Sequence, residues 1–240
     1  GAPAADAEAL EETLLRVSEV VCELPDIGAM DLNPVIVTDT GAIVVDARIA
    51  VQRGSAAALP YAHMAIHPYP SKLIQTLELP GGLTATLRPI RPEDAAIETA
   101  FVNGLSEQSR FLRFMFGLHS LTPAMLSRFT QIDYDRELAL IAVIDTPQGE
   151  QQIGVARYIT LPDEETCEFA IVVGDEWQGK GLAKQLFAML IESARKRRLK
   201  VMTGVTLREN TRMIELSRSL GFETRTDPED PELGQMTLPL

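Results

Sequence analysis

Apolar residues recur at two different spacings along this chain, and each change of spacing marks a change of element. Leu10, Leu14, Val17 and Val21 follow one another at four, three and four residues, one stripe of a helix, with Asp6 placed to cap its start. "AMDLNPVIV" and "AIVVDARIAV" then flank the turn "TDTG" and predict two strands of a hairpin. A second hairpin is predicted where "LIQTLEL" and "LTATLRPI" alternate about Pro80-Gly81-Gly82. "RPEDAAIETAFVNGL" opens a helix with Pro92 in its first turn and carboxylates behind it, and "SEQSRFLRFMF" and "TPAMLSRFTQ" predict two more. Three strands follow, "LALIAVID", "QQIGVARYIT" and "CEFAIVV", the first two joined through Pro147-Gln148-Gly149. A long amphipathic helix is expected over 179–197 with Leu182, Leu186, Met189, Leu190 and Ala194 inward. The strand "KVMTGVTL", the helix "ENTRMIELSRSL" and closing strands near "FETRT" and "QMTLPL" complete the order. Because the central strands succeed one another without helices between them, the pattern predicts an α+β fold with a mixed, largely antiparallel sheet rather than a doubly wound one.

Composition sharpens this picture in three places. With 45% hydrophobic and 23% charged residues, 240 residues suffice for one large or two small cores. No apolar run approaches the ~20 residues of a membrane span, and the N-terminus lacks the regions of a signal peptide, so a cytoplasmic protein is expected. Cys22 and Cys167 are too few and too far apart for a disulfide framework or a metal site. The net charge of −12 disfavours nucleic acid and favours a basic protein surface as partner. That charge is uneven: residues 1–60 carry ten carboxylates against Arg16, Arg48 and Arg53. The asymmetry, followed by the Pro- and Gly-bearing stretch "QRGSAAALPYAHMAIHPYP", predicts a small α/β fragment over 1–55, a linker over 56–72 and the main domain over 73–240.

The chemistry gathers in "GDEWQGKGLAKQL", Gly174 to Leu186. Gly174-x4-Gly179-Lys180 follows a P-loop until Gly181 stands where a Ser or Thr must hold Mg²⁺, and no acidic strand end follows to complete a metal site. A dinucleotide fingerprint fails because Lys184 replaces its third glycine. Gln178-Gly179-Lys180-Gly181-Leu182-Ala183 does match Q/R-x-x-G-x-G/A, directly after the strand "FAIVV" and before a long helix. There backbone N–H groups and the helix dipole can hold a pyrophosphate that is bound but not cleaved, with no metal, as in acyl-coenzyme A. On those six residues alone a tight strand-to-helix turn accounts for the glycines equally well.

"EFAIVVGDEWQGKGLAKQLFAMLI" with "GVTLRENTRMIELSRSLGF" resembles the cofactor-binding half of the GNAT superfamily of N-acetyltransferases, including the spacing from Asn210 to Gly221-Phe222. "AIHPYPSKL", "LRPIRPEDA", "LSEQSRFLRF" and "QIDYDRELALIAV" resemble the acetyltransferase domain of bacterial Pat-type protein lysine acetyltransferases, so the resemblance spans roughly residues 61–240. Residues 1–55 resemble the end of an ATP-grasp region of the NDP-forming acyl-CoA synthetase type, with Ala29, Asp31 and Asn33 where a carboxylate, a carboxylate and Asn would face metal; with the first missing, no nucleotide chemistry is expected there.

The resemblance implies a GNAT fold, acetyl-CoA as cosubstrate, and a lysine on an acyl-CoA synthetase as acceptor; a small-molecule amine acetyltransferase and a non-catalytic acyl-CoA sensor remain as alternatives. Glu168, on the strand leading to the loop and followed by apolar residues, is the candidate general base, its pKa expected to be raised by burial. Ile171, Val172 and Val173 are expected to lend backbone groups to the pantetheine arm, Gln178, Gly179, Lys180, Gly181, Leu182, Ala183 and Lys184 to hold the pyrophosphate, and Asn210 to bind the arm or to cap a helix. Ser217 stands where many GNAT enzymes place a tyrosine as general acid. The basic run Arg195–Lys200 favours a helix C-terminus and offers a possible contact to the 3′-phosphate, "DPEDPE" reads as a solvated loop, and His63, His67 and His119 read as structural.

Overall fold

The computed structural model describes residues 4–52, 61, 63–115, 117, 118 and 120–240. It divides into two units, Gly1–Pro68 and Tyr69–Leu240. The linker expected over 56–72 straddles that division, and its residues 56–60 and 62, like His119, lie outside the described set.

In the first unit, α1 (Ala7–Glu23) is capped as expected, Asp6 Oδ1 accepting from the Ala9 amide at 2.9 Å. Its inward side is Ala9, Thr13, Val17 and Val21, whereas Leu10 and Leu14 of the expected stripe are exposed. The hairpin about "TDTG" is a nested one: β1 (Ile27–Leu32) pairs with β4 (Ala47–Val51), and inside it β2 (Val35–Val37) pairs with β3 (Ala42–Val44). Ala29 and Asp31 share an exposed face of β1, and Asn33 lies just beyond it. His63 Nε2 lies 2.8 Å from the Val21 carbonyl, and His67 packs edge-on to Tyr61.

The second unit is built on one eight-stranded sheet. Its elements are β5 (Gln75–Leu79), β6 (Leu83–Pro89), α2 (Ala95–Gly104), α3 (Glu107–Phe114), α4 (Pro123–Thr130), β7 (Glu137–Thr146), β8 (Gly149–Thr160), β9 (Thr166–Val173), α5 (Leu182–Lys196), β10 (Val201–Leu207), α6 (Thr211–Ser219), β11 (Glu223–Thr226) and β12 (Leu233–Pro239). The strands lie in the order β11-β12-β10-β9-β8-β7-β6-β5, every pair antiparallel except β9 with β10. The mixed, largely antiparallel sheet read from the sequence is therefore the one observed. Three of these helices start on a capping side chain that the sequence supplies, Ser106 for α3, Thr122 for α4 and Asn210 for α6, whereas α2 and α5 start without one.

Two apolar layers clothe the sheet. On one face α5 buries Leu182, Leu186, Phe187, Leu190 and Ala194 against β7, β8 and β9, as its periodicity requires. On the other face α2, α3 and α4 cover Ala139, Ile141, Val143 and Val155. A bidentate pair from Arg88 to Asp94 (2.7 and 2.8 Å), joined by Glu150 at 2.6 Å, ties β6 to the start of α2 and to β8. Cys167 is buried in the first layer, where desolvation pushes its thiol up to about 12, so it is no nucleophile. Among the described residues no helix is long and apolar enough to cross a membrane.

Candidate active site

The site begins where two parallel strands part. β9 and β10 are in register only from Thr166↔Val201 to Glu168↔Thr203; beyond that point β10 pairs with β12 alone. The next residues explain the parting: the Phe169 ring lies where a side chain on Gly204 would be, 2.4 Å from an ideal Cβ, wedged between Phe187 (centroids 4.4 Å apart) and Phe222 (5.2 Å). Residues 169–173 and 204–207 thus leave facing strand edges around a cleft of about 1220 Å³, walled by β9, the start of α5, α3 and α6.

Ladder parity fixes which backbone groups face that cleft. Gly174 donates its N–H to Ile153 O at 2.9 Å, so in the antiparallel β8–β9 ladder Gly174, Val172 and Ala170 direct their backbone groups at β8. Phe169, Ile171 and Val173 direct theirs the other way, into the open edge; Val173 O accepts from Gln178 Nε2 at 3.2 Å. Ile171 and Val173 therefore stand where a pantetheine arm can pair. Val172 does not: its amide and carbonyl are committed to β8, and its side chain packs in the second apolar layer.

Gly179 and Gly181 adopt φ of 73° and 84°, and an added Cβ at either would meet nothing within 4 Å, so the requirement is the left-handed backbone and not the space. α5 then starts without a side-chain cap, and its first i→i−4 bond is Gln185 N to Gly181 O, leaving the amides of Leu182, Ala183 and Lys184 outside the helical ladder at its positive end. The side chains sort differently from the backbone. Ala183 and Lys184 line the cleft, Leu182 is buried in the core, and the Lys180 ammonium sits 4.6 Å from the centroid of the Trp177 ring. Leu182 offers only its amide, and the Lys180 side chain is held on Trp177.

Gln178 bonds to three elements: besides Val173 O, its Nε2 donates to Ser109 Oγ at 3.3 Å, and its Oε1 accepts from Arg212 Nη1 at 3.1 Å. Asp175 anchors the same loop to α3, accepting from Ser106 N (2.9 Å), Ser106 Oγ (2.8 Å) and Ser109 Oγ (2.6 Å). Burial works against that carboxylate's charge, but these bonds outweigh it and hold Asp175 below the usual carboxylate range.

Glu168 is the last β9 residue paired with β10; it adjoins the cleft at Phe169 without lining it, on the strand face opposite Cys167 and Phe169, the face toward α3. The apolar enclosure expected around it is not there: Glu168 is exposed, because strand alternation buries its neighbours and turns it outward. It lies within electrostatic reach of Arg113, a half-buried cleft residue whose guanidinium is pushed down to about 10 by burial and by Arg157, with Glu98 and Glu168 acting in the opposite direction.

Asn210 lines the cleft and also caps α6, accepting from Met213 N at 3.2 Å and donating to Thr206 Oγ1 at 3.1 Å, which leaves one amide hydrogen for a ligand. Ser217 is fully buried with its hydroxyl donating to Met236 Sδ, so it is not the acid, and no tyrosine among the described residues lines the cleft. The basic run at the end of α5 is also elsewhere: Arg197 bonds Asp135, Lys196 pairs with Glu192 and Lys200 with Glu165. Arg113, Ser109, Asp175 and Arg212 were not singled out from the sequence; the one local signal was a cation in the first turn of α6.

A strand edge that no other strand pairs at Ile171 and Val173, an uncapped helix start reached through two left-handed glycines, and Lys184 and Arg212 on the walls fit an extended thioester with a diphosphate. The comparisons agree. The family model described as acetyltransferase (GNAT) domain matches residues 85–223, and the one described as ATP-grasp domain matches residues 1–51. Acetyltransferase PA5475 of Pseudomonas aeruginosa is 34% identical over 152 residues, 63% of this chain and 82% of its own length. The L-methionine sulfoximine/L-methionine sulfone acetyltransferase of the same species is 41% identical over 70 residues, 29% of this chain and 40% of its own. Among solved structures, the GNAT domain of S. lividans PAT superposes with a TM-score of 0.65 at 25% identity, covering 72% of this chain and all of that domain. The strand-loop-helix cleft and these matches together place the chain in the GNAT family of acetyltransferases, with acetyl-CoA as its acetyl donor.

Proposed function

We propose that the chain acetylates the Nζ of a lysine on another protein, an acyl-CoA synthetase, with Glu168 taking the proton from the attacking amine. The exposure of Glu168 where β9 and β10 part, one residue before the first β9 residue that lines the cleft, carries this reading: a base at the surface meets an amine borne on another protein's surface, where a small acceptor needs walls around it. The match to the whole GNAT domain of S. lividans PAT and the ATP-grasp match over residues 1–51 support it, and the net charge of −12 suits a basic acceptor surface.

Bound acetyl-CoA supplies an acetyl thioester. A lysine amine, with an ordinary pKa of ~10.4, arrives protonated and must lose that proton before it attacks. Glu168 accepts it at the vertex of the strands and, being exposed, returns it to solvent. Ile171 and Val173 align the arm along the open edge, while the amides at the start of α5 fix the diphosphate end. The acetyl group passes from sulfur to nitrogen, the thiolate leaves, and the second proton of the attacking nitrogen passes to that thiolate through solvent.

A second reading, an amino acid as acceptor, is favoured by the 41% identity to the methionine sulfone acetyltransferase. Both are tested by incubating the chain with acetyl-CoA and either a purified acyl-CoA synthetase or L-methionine sulfone, following thiol release and intact mass. Acetylated synthetase is the expected result. Acetylation of the amino acid alone would overturn the protein acceptor, and binding without turnover would make the domain a sensor.

A further inference from the structure

Three cations line the cleft, Arg113, Lys184 and Arg212. Arg212 stands where the local electrostatics do not favour a cation. It is exposed in the first turn of α6, which holds no acidic residue, so its charge faces the positive end of the helix dipole. No carboxylate among the described residues pairs with it; its hydrogen bond is to a neutral acceptor, Gln178 Oε1 at 3.1 Å. That bond reaches over 34 residues of sequence to bring the guanidinium to the loop whose free amides face the diphosphate. The same carboxamide donates to Val173 O at 3.2 Å, the free-edge carbonyl that the pantetheine arm would use, and to Ser109 Oγ at 3.3 Å. Gln178 therefore clasps α3, the end of β9 and α6 together across the route of the coenzyme.

A guanidinium binds phosphate oxygens through a charge-assisted, often bidentate fork, more strongly than it binds a neutral carboxamide. In a chain with net charge −12, a polyanion also depends on local cations to offset the overall repulsion. We propose that Arg212 is a phosphate ligand of the coenzyme, and that Gln178 holds it at the phosphate loop and releases both Arg212 and the Val173 carbonyl as the coenzyme enters. This rests on the acetyl-CoA reading of the cleft and is independent of the acceptor's identity.

The test is calorimetric binding of coenzyme A, 3′-dephospho-coenzyme A and pantetheine to the wild-type chain and to Arg212→Ala, Arg212→Lys and Gln178→Ala, each checked for an unchanged unfolding temperature. Arg212→Ala should weaken coenzyme A binding on the order of 10- to 100-fold, the range for loss of a charged hydrogen bond, and flatten its salt dependence. Arg212→Lys should fall between the two. An equal loss for the dephospho form assigns Arg212 to the diphosphate; a loss confined to coenzyme A assigns it to the 3′-phosphate. Unchanged affinity in Arg212→Ala, or an equal loss for pantetheine, would overturn the assignment. Gln178→Ala should bind at least as tightly as wild type; a loss as large as that of Arg212→Ala would show the carboxamide itself to be the ligand. Failure of the wild-type chain to bind coenzyme A is a separate outcome, and it removes the cleft reading itself.

Discussion

Gly204→Ala is the smallest change aimed at the vertex from which the cleft opens. The added Cβ would lie 2.4, 2.7 and 2.8 Å from three atoms of the Phe169 ring, all closer than such contacts occur. Phe169 cannot swing aside freely, because Phe187 and Phe222 hold it at centroid distances of 4.4 and 5.2 Å. Gly204 has no left-handed backbone to lose, so the whole effect is steric. Overpacking of this kind costs about 1–3 kcal/mol, and for a unit of this size each kcal/mol lowers Tm by about 2–4 °C, so a fall of about 2–12 °C is expected. Phe169→Leu removes the ring and its two aromatic contacts, about 0.5–1.5 kcal/mol each. If the clash is the cause, the double variant is more stable than the sum of the single effects requires, by a coupling of about 0.5–3 kcal/mol. Gly104→Ala, whose Cβ meets nothing within 4 Å, is the control and should leave Tm unchanged or raise it. Differential scanning calorimetry of the four variants measures this. Additive effects of Gly204→Ala and Phe169→Leu, or equal effects of Gly204→Ala and Gly104→Ala, would refute the steric account of the splay.

Three further outcomes are expected. Glu168→Gln should lower turnover by ~10²–10⁴ with acetyl-CoA affinity unchanged, read by thiol-release kinetics beside calorimetry; equal losses in both would make Glu168 structural. Gly181→Val should leave folding intact but weaken acetyl-CoA binding severely, since a β-branched residue resists φ of 84° at the point where α5 presents its free amides. Burial raises the Glu98 carboxyl above its ordinary 4.5, so the folded state holds that proton more tightly than the unfolded one does. Stability from this group is therefore lost as pH rises above 4.5, and urea titrations should show Glu98→Gln gaining on wild type over that range, by at most about 1.4 kcal/mol per pH unit.

Local chemistry made most of the elements legible. The spacing of Leu182, Leu186, Met189, Leu190 and Ala194 is the inner face of α5 because that face has one dominant neighbour, the sheet. The paired glycines of "QGKG" announced a strand-to-helix turn because left-handed backbone is a property of single residues. What was not legible depends on partners remote in sequence. Asp175 meets Ser106 from 69 residues away, and Arg212 meets Gln178 from 34. Lys180 and Lys184 look equivalent in the motif, yet one sits on Trp177 and the other lines the cleft, a distinction set by where the first turn of α5 points. The run of five apolar residues after Glu168 suggested burial, but in a strand consecutive residues occupy opposite faces, so an apolar neighbour in sequence is not a neighbour in space.

One register accounts for several features of the site at once. The pairs from Gly154↔Val173 to Thr160↔Cys167 bury Cys167, Phe169, Ile171 and Val173 beneath α5 and so turn Glu168 to the face of α3. The same parity sends the backbone groups of Ile171 and Val173 to the open edge and those of Val172 to β8. A slip of one residue would bury Glu168 against Phe187 and withdraw both free-edge residues together. The apolar core thus selects the register: the energy that keeps Phe169 and Ile171 out of water is also what keeps Glu168 beside the arm it is proposed to serve. A substitution that weakens the core of β9 without reversing its parity should lower stability and leave the order of acetyl-CoA contacts intact. Phe169→Leu, measured for coenzyme affinity beside its Tm, separates the two.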